Sequence, residues 1–243
     1  MITIKKYRHR PVYKKFVNLR CNVQNKQKIF KFKRKKWNSL LFQLNRTTKT
    51  RKRNCYYKFL DQNLYNIPRF NNFFSKNHKQ KVLSRKRFNL FYGSLGNRYL
   101  KKIVLNSNKN SNQIKNKINL NNYAISNLEN RLDMVLVRSH FVISVRNARQ
   151  LISHGHVLVN KVPVYDSSFL LIKGDFVTFS SKIHKIIKYY LTLSVFWPLP
   201  PEHLQTSYKL LSISVVGSNL LSRSNVQQSF WLDTNNVIQS YKR

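Results

Sequence analysis

Apolar positions recur with helical spacing over the centre of the chain and then change to the alternation of strands. Leu128, Leu132, Val135 and Leu136 fall on one face of a helix ending near Ser139. Ser126-Asn127-Leu128-Glu129 has the form of a capping box opening that helix. Ser144 can cap a second helix with Ala148, Leu151 and Ile152 as its buried stripe, leaving Arg146 and Arg149 on an exposed one. Gly155 supplies the left-handed residue that ends this helix. His156 to Val159 then reads as a strand, Asn160-Lys161 as a turn, and Val162 to Tyr165 as a second strand. Lys173-Gly174-Asp175 is a further turn into Phe176-Val177-Thr178-Phe179. The order of helix, helix and hairpin-linked strands predicts a small unit with two helices packed on a sheet.

Upstream, Leu83, Leu90, Phe91 and Leu95 make Gln80 to Val104 helical, with a break marked by Gly93 and Gly96. Asn106 to Asn122 is dominated by Asn, Lys and Ser and reads as a flexible linker that contributes little to ligand affinity. Downstream, Ile186 to Leu199 is apolar but interrupted by Lys188, too short for a membrane span, and reads as buried strand or core.

Charge adds a partner. The 243 residues carry 46 Lys+Arg against 7 Asp+Glu, a formal net charge of +39. Such a chain repels itself unless a polyanion neutralises it, and nucleic acid fits better than a membrane surface. Asp61 is the only acidic residue before Glu129. In that first part Lys33, Arg34, Lys35 and Lys36, then Arg51, Lys52 and Arg53, form dense runs interleaved with Phe30, Phe32, Trp37, Tyr56 and Tyr57. Cations for phosphates and rings for unstacked bases suit RNA. At 42% hydrophobic residues, the chain is too apolar to be a disordered basic tail, so the charge sits on a folded body.

Cys21 and Cys55 are far apart, and neither His9 nor His78 stands at ligand spacing from them, so no metal is expected in folding. No removable targeting segment is visible at Met1 to Tyr13. His154 and His156 have no carboxylate or Cys nearby in sequence, and read as RNA-facing or surface residues rather than ligands or acid-base groups.

At Arg131-Leu132-Asp133, at Ala148 through Asn160 and at Lys173-Gly174-Asp175 the chain resembles the RNA-binding domain named after ribosomal protein S-four. Gln80 through Tyr99 is similar to the helical segment that precedes this domain in the small-subunit ribosomal protein S-four family. Trp197-Pro198 to Leu204 and Val237 to Arg243 resemble that family's returning C-terminal segment. Two departures stand out. Val145 occupies the place where the family usually has Arg, which follows here at Arg146, and the Cys cluster of some bacterial members has no counterpart.

The resemblance implies an α+β fold: a basic, mostly helical N-terminal region plus a small helix-helix-β RNA-binding domain of the S-four type. The expected divisions are a basic rRNA-binding extension at 1–79, a helical segment at 80–105, the linker at 106–125, the RNA-binding domain at 126–182, and at 183–243 a segment returning to the helical part. It implies a structural, non-enzymatic constituent of the small ribosomal subunit, with direct small-subunit rRNA binding, an early assembly role and a position near the channel through which mRNA enters. Neighbouring ribosomal proteins are the other expected partners; no cofactor, small-molecule substrate or membrane is expected. The expected RNA-facing residues are Arg131, Arg138, Arg146, Arg149, Gln150, His154, His156, Asn160 and Lys161, with the basic runs above and Arg85, Lys86 and Arg87. The Asn-, Lys- and Ile-rich usage suggests an organelle, and the drifted sequence with its poorly matching N-terminal region places the mitochondrion ahead of the plastid.

Two other classes share the domain. Arg131-Leu132-Asp133 is similar to the catalytic triplet of some pseudouridine synthases, but no second domain remains to form the cleft. Asp133 is better placed in the first turn of a helix, paired with a cation. A free RNA chaperone is the third class, disfavoured by the long basic arm and the returning C-terminus.

Overall fold

The computed structural model describes residues 12–19, 23, 35–39, 42, 74–113, 120–192, 200–217 and 234–242. The chain divides into two compact units, Met1–Phe91 with Gln228–Asp233, and Tyr92–Gln227 with Thr234–Arg243.

In the first unit α1 (Val12–Leu19) packs against α2 (Phe74–Phe91), with a short helical stretch at residues 35–39. Leu19, Trp37 and Phe88 are buried, and Arg87 Nη2 donates to the Leu19 carbonyl at 3.0 Å. Lys33, Arg34, Arg51, Lys52, Arg53, Cys21 and Cys55 lie outside the described residues.

The second unit begins with α3 (Asn97–Gln113) and α4 (Leu120–Glu129), which pack together and are joined by the C-terminal helix α8 (Thr234–Lys242). The expected break is present, since α2 ends at Phe91 and α3 starts at Asn97. Gly93 between them has φ +76°, and a Cβ there would stand 2.5 Å from Val145 Cγ1, so only glycine fits.

The linker reading is corrected. Helix covers 106–113 and 120–122, leaving only 114–119 outside the described residues. Leu100, Val104 and Ser107 form a buried stripe, and Ser107 Oγ donates to the Ile103 carbonyl at 2.7 Å. This stripe and Ala124, Leu128, Val237, Ile238 and Tyr241 are buried on the three packed helices. A narrow apolar face was enough for a helix that composition alone read as coil.

The capping box is also corrected. Ser126 is buried within α4, and its hydroxyl accepts from Asn130 Nδ2 at 3.4 Å. The chain breaks at Asn130-Arg131, and α5 (Leu132–Arg138) starts afresh with Arg131 extended at its N-cap. The break is held from far away, by Leu132 N–H to the Phe169 carbonyl and Leu171 N–H to the Asn130 carbonyl, both 2.9 Å.

Helix α6 (Val145–Ser153) is capped as expected, Ser144 Oγ accepting from Asn147 N–H at 3.2 Å. It leads into β1 (Val157–Val159), β2 (Val162–Pro163) and β3 (Phe176–Phe179). Asn160 and Lys161 both have positive φ, 51° and 71°, the conformation that a tight two-residue hairpin needs. The sheet is five-stranded and antiparallel, in the order β2-β1-β3-β5-β4, because β4 (Leu204–Ser207) and β5 (Ser212–Val215) add to β3. Of the segment expected to return to the helical part, residues 204–215 therefore join the sheet, and α8 makes the return.

The stretch at 186–199, expected as strand or core, is in its described part helix α7 (His184–Thr192) and not strand, with Ile187 in the core; a 3-10 turn at Ser181–Ile183 precedes it, and 193–199 lie outside the described residues. Leu132, Leu136, Ala148 and Ile152 pack with Val157, Val177, Ile213 and Ile187 in one core. Each fully buried aliphatic side chain contributes about 1.5–3 kcal/mol relative to exposure. No helix among the described residues is long and apolar enough to cross a membrane.

Candidate nucleic-acid interface

Two carboxylates organise the arginines of the helix pair. Asp133, fully buried in the first turn of α5, receives Arg131 through two bonds, Nε to Oδ1 at 3.1 Å and Nη2 to Oδ2 at 3.0 Å. Arg149 Nε also donates to Asp133 Oδ2 at 2.8 Å, while its Nη1 and Nη2 donate to the Gly93 and Tyr92 carbonyls at 2.8 and 3.1 Å. Arg131 Nη1 donates to Tyr99 Oη at 2.6 Å, and its guanidinium carbon lies 5.1 Å from that ring's centroid. One buried carboxylate thus ties together α3, α5, α6 and the Tyr92-Gly93 turn.

Glu129, at the end of α4, receives Arg138 Nε on Oε2 at 2.8 Å and Arg138 Nη2 on Oε1 at 3.0 Å. Tyr92 Oη donates to Glu129 Oε1 at 2.8 Å. Burial alone would raise the Glu129 pKa, but the Arg138 charge and the bonds from Arg138 and Tyr92 outweigh it and hold the pKa below the usual value. Burial first, then the neighbouring Glu129 charge, pushes Tyr92 well above the usual phenol value.

Arg131 is therefore buried and Arg138 and Arg149 half-buried, all three turned to carboxylates of the module, and the reading of them as fully outward residues is corrected. Charged residues on a helix read as exposed, but Glu129 and Asp133, two of only seven acids, stand in the same module as these arginines. That coincidence was the signal available in the sequence. Asp133 does sit in a first helical turn paired with cations, as expected.

The outward residues form a stripe. Arg146, Gln150 and His154 are exposed at four-residue intervals along α6 and its C-cap, opposite buried Ala148 and Ile152. Lys161 is exposed at the β1–β2 turn. Asn160 is exposed too, but its side chain holds the turn: Nδ2 donates to Asp175 Oδ1 at 2.9 Å, and Oδ1 accepts from Phe176 N–H at 3.0 Å. His156 is half-buried with Nδ1 3.2 Å from Ser180 Oγ, and its ring centroid is 6.2 Å from that of His154. No group of three or more His, Cys, Asp or Glu gathers among the described residues as a metal site would require. In the first unit Lys35, Lys36 and Lys86 are exposed, whereas Arg85 and Arg87 are half-buried.

Residues 130–177, which span both module helices and the first two strands and reach into β3, match the S4 domain family. The small ribosomal subunit protein uS4B of Clostridium acetobutylicum is 34% identical over 137 residues, covering 54% of this chain and 68% of the relative. The small ribosomal subunit protein uS4m of Marchantia polymorpha is 30% identical over 154 residues, covering 58% and 72%. That of Reclinomonas americana is 31% identical over 124 residues, covering 48% and 49%. The likeness to the first of these, over two thirds of its length and around an S4 domain with its helix pair and hairpin in place, shows that this chain belongs to the small ribosomal subunit protein uS4 family.

Proposed function

We propose that this chain is a structural constituent of the small ribosomal subunit that binds small-subunit rRNA directly. The observation that carries this is the outward stripe of Arg146, Gln150 and His154 in a chain of net charge +39, inside the S4 domain match. Family membership supports the ribosomal setting, and relatives named uS4m support the mitochondrial ribosome, with the plastid as the alternative. An early role in assembly, contacts with neighbouring ribosomal proteins and a place near the channel through which mRNA enters belong to the same reading. The exposed Lys35, Lys36 and Lys86 of the first unit are further RNA contacts in this reading. A pseudouridine synthase reading is disfavoured because Asp133 is fully buried and shared by two arginines, which keeps this carboxylate from acting on a base.

Sedimentation of organelle extracts through high salt tests the reading: the protein is expected to travel with the small subunit. A free pool at the top of the gradient would point to an RNA chaperone instead. Within the module, Arg146→Gln is expected to change stability by no more than about 0.5 kcal/mol. It should weaken rRNA binding and reduce the log-log salt slope by about one unit. Arg149→Gln should do the reverse of the stability result, lowering the melt by roughly 2 kcal/mol or more as a buried charge network loses a partner. Equal melts for the two variants would contradict this division of roles.

A further inference from the structure

Helix α7 and the 3-10 turn before it carry a cationic face outside the residues that match the S4 domain. Ile183 and Ile187 are buried and Leu191 packs against the core, which fixes the orientation of the helix. Lys182 in the preceding 3-10 turn and Lys185 and Lys188 on the helix then stand at three-residue intervals away from these buried positions, all exposed. Tyr189 is 61% exposed and Ile186 is 45% exposed between them. At this spacing neighbouring side chains share a helix face, with Cβ atoms about 5–6 Å apart.

These three lysines have no counter-charge in the described structure. Glu129 and Asp133 are held in the internal pairs. Asp166 accepts from Ser168, and Asp175 from Asn160 and the Ile172 N–H. Asp61 and Asp233 lie outside the described residues, which leaves Glu202 as the remaining described carboxylate. No ion pair forms to Lys182, Lys185 or Lys188 among the described residues. Three like charges on one face repel one another, and among them the Tyr189 ring, 6.3 Å from the Tyr190 ring between centroids, leaves most of its surface open to solvent.

We propose that the Lys182-Lys185-Lys188 face is a second RNA-binding surface, its ammonium groups on phosphates and the Tyr189 ring against an unpaired base or ribose. The inference rests on the rRNA-binding reading above. RNA is favoured over an acidic protein because it supplies regularly spaced anions together with π-faces, and this face offers cations together with an exposed ring. Lysine, a point charge on a flexible stem, can follow a phosphate backbone without a fixed geometry.

The test uses the full chain and a transcript of its cognate small-subunit rRNA, titrated over salt. The triple variant Lys182→Gln, Lys185→Gln, Lys188→Gln is expected to melt like the wild type and to lose about two to three units of log-log slope. The corresponding triple Lys→Arg variant should keep the slope, which separates charge from shape. Tyr189→Leu should weaken binding roughly fivefold or more with the slope unchanged. If the wild type binds the cognate rRNA and Arg146→Gln lowers its slope while the triple Gln variant keeps it, this face is not an RNA surface and the parent reading stands. If the wild type does not prefer the cognate rRNA to an unrelated one of equal length, both fall. A triple variant that binds RNA normally yet no longer sediments with the small subunit would assign the face to an acidic protein neighbour and overturn the RNA assignment.

Discussion

Asp133→Asn is expected to destabilise the second unit by about 3–5 kcal/mol, because it leaves two arginines without their shared counter-charge. Asn keeps the shape of the side chain, so packing around α5 is unchanged and the effect is electrostatic. Its amide would turn N–H groups toward donors, where Asp133 now accepts from Arg131 Nε, Arg131 Nη2 and Arg149 Nε. Arg131 is buried and cannot turn out to water, while Arg149 is 27% exposed and can in part. A small protein is stable by about 5–15 kcal/mol in total, so this one change removes a large share. The thermal midpoint should fall on the order of 10 °C. Denaturant melts of wild type, Asp133→Asn, Arg149→Met and the double variant would show a coupling of about 0.5–3 kcal/mol if the pair acts as a unit. A loss below about 1 kcal/mol for Asp133→Asn would mean the pair is exposed to solvent and the network is peripheral.

The network also shows which parts of the site could be read from sequence. Local signals were legible. The Ser144 cap, the Ala148-Leu151-Ile152 stripe and the Asn160-Lys161 turn depend on residues within a few positions of each other, and all are present. What depended on distant partners was not legible. The apolar run from Leu128 to Leu136 stays in phase through the break at Asn130-Arg131, since the cause of that break is the strand-like pairing to Phe169–Leu171. Arg149 meets Asp133 sixteen residues away in sequence and Gly93 fifty-six away, so no helical wheel could show that it points inward. Strand β5 joins β3 through Phe176↔Ser214 and Val177↔Ile213, a pairing that no turn signal announces. The lysines of α7 and the turn before it had a local signal, a three-residue repeat beside Ile183 and Ile187, which the apolar reading of 186–199 concealed.

The second large effect is expected at Glu129, and it carries a pH signature. Glu129→Gln removes the charge that neutralises half-buried Arg138, leaves the buried Tyr92–Glu129 contact uncharged, and is expected to cost about 3–5 kcal/mol at neutral pH. In the wild type the Glu129 pKa is held below its ordinary value, since Arg138 and the Tyr92 bond outweigh burial, with a smaller contribution from His203. A depressed folded pKa means that the unfolded chain binds the proton more readily. Glu129 therefore stabilises the fold fully above the ordinary carboxylate value of about 4.3, and this contribution is lost as pH falls through the folded pKa. The Gln variant cannot bind that proton, so below about pH 4.3 its stability should fall less steeply, by up to about 1.4 kcal/mol per pH unit. Tyr92 has the opposite sign. Its pKa is raised, chiefly by burial, so its contribution is full below the ordinary phenol value of about 10 and is lost as pH rises from there. Glu129→Gln removes the charge next to the phenol but not the burial, so much of the alkaline loss should persist, whereas Tyr92→Phe should flatten it and, by removing one bond that lowers the Glu129 pKa, reduce the acid loss only in part. Urea midpoints measured across the two pH ranges separate these outcomes. Parallel acid limbs for wild type and Glu129→Gln would show that Glu129 is not held as a depressed carboxylate against Arg138.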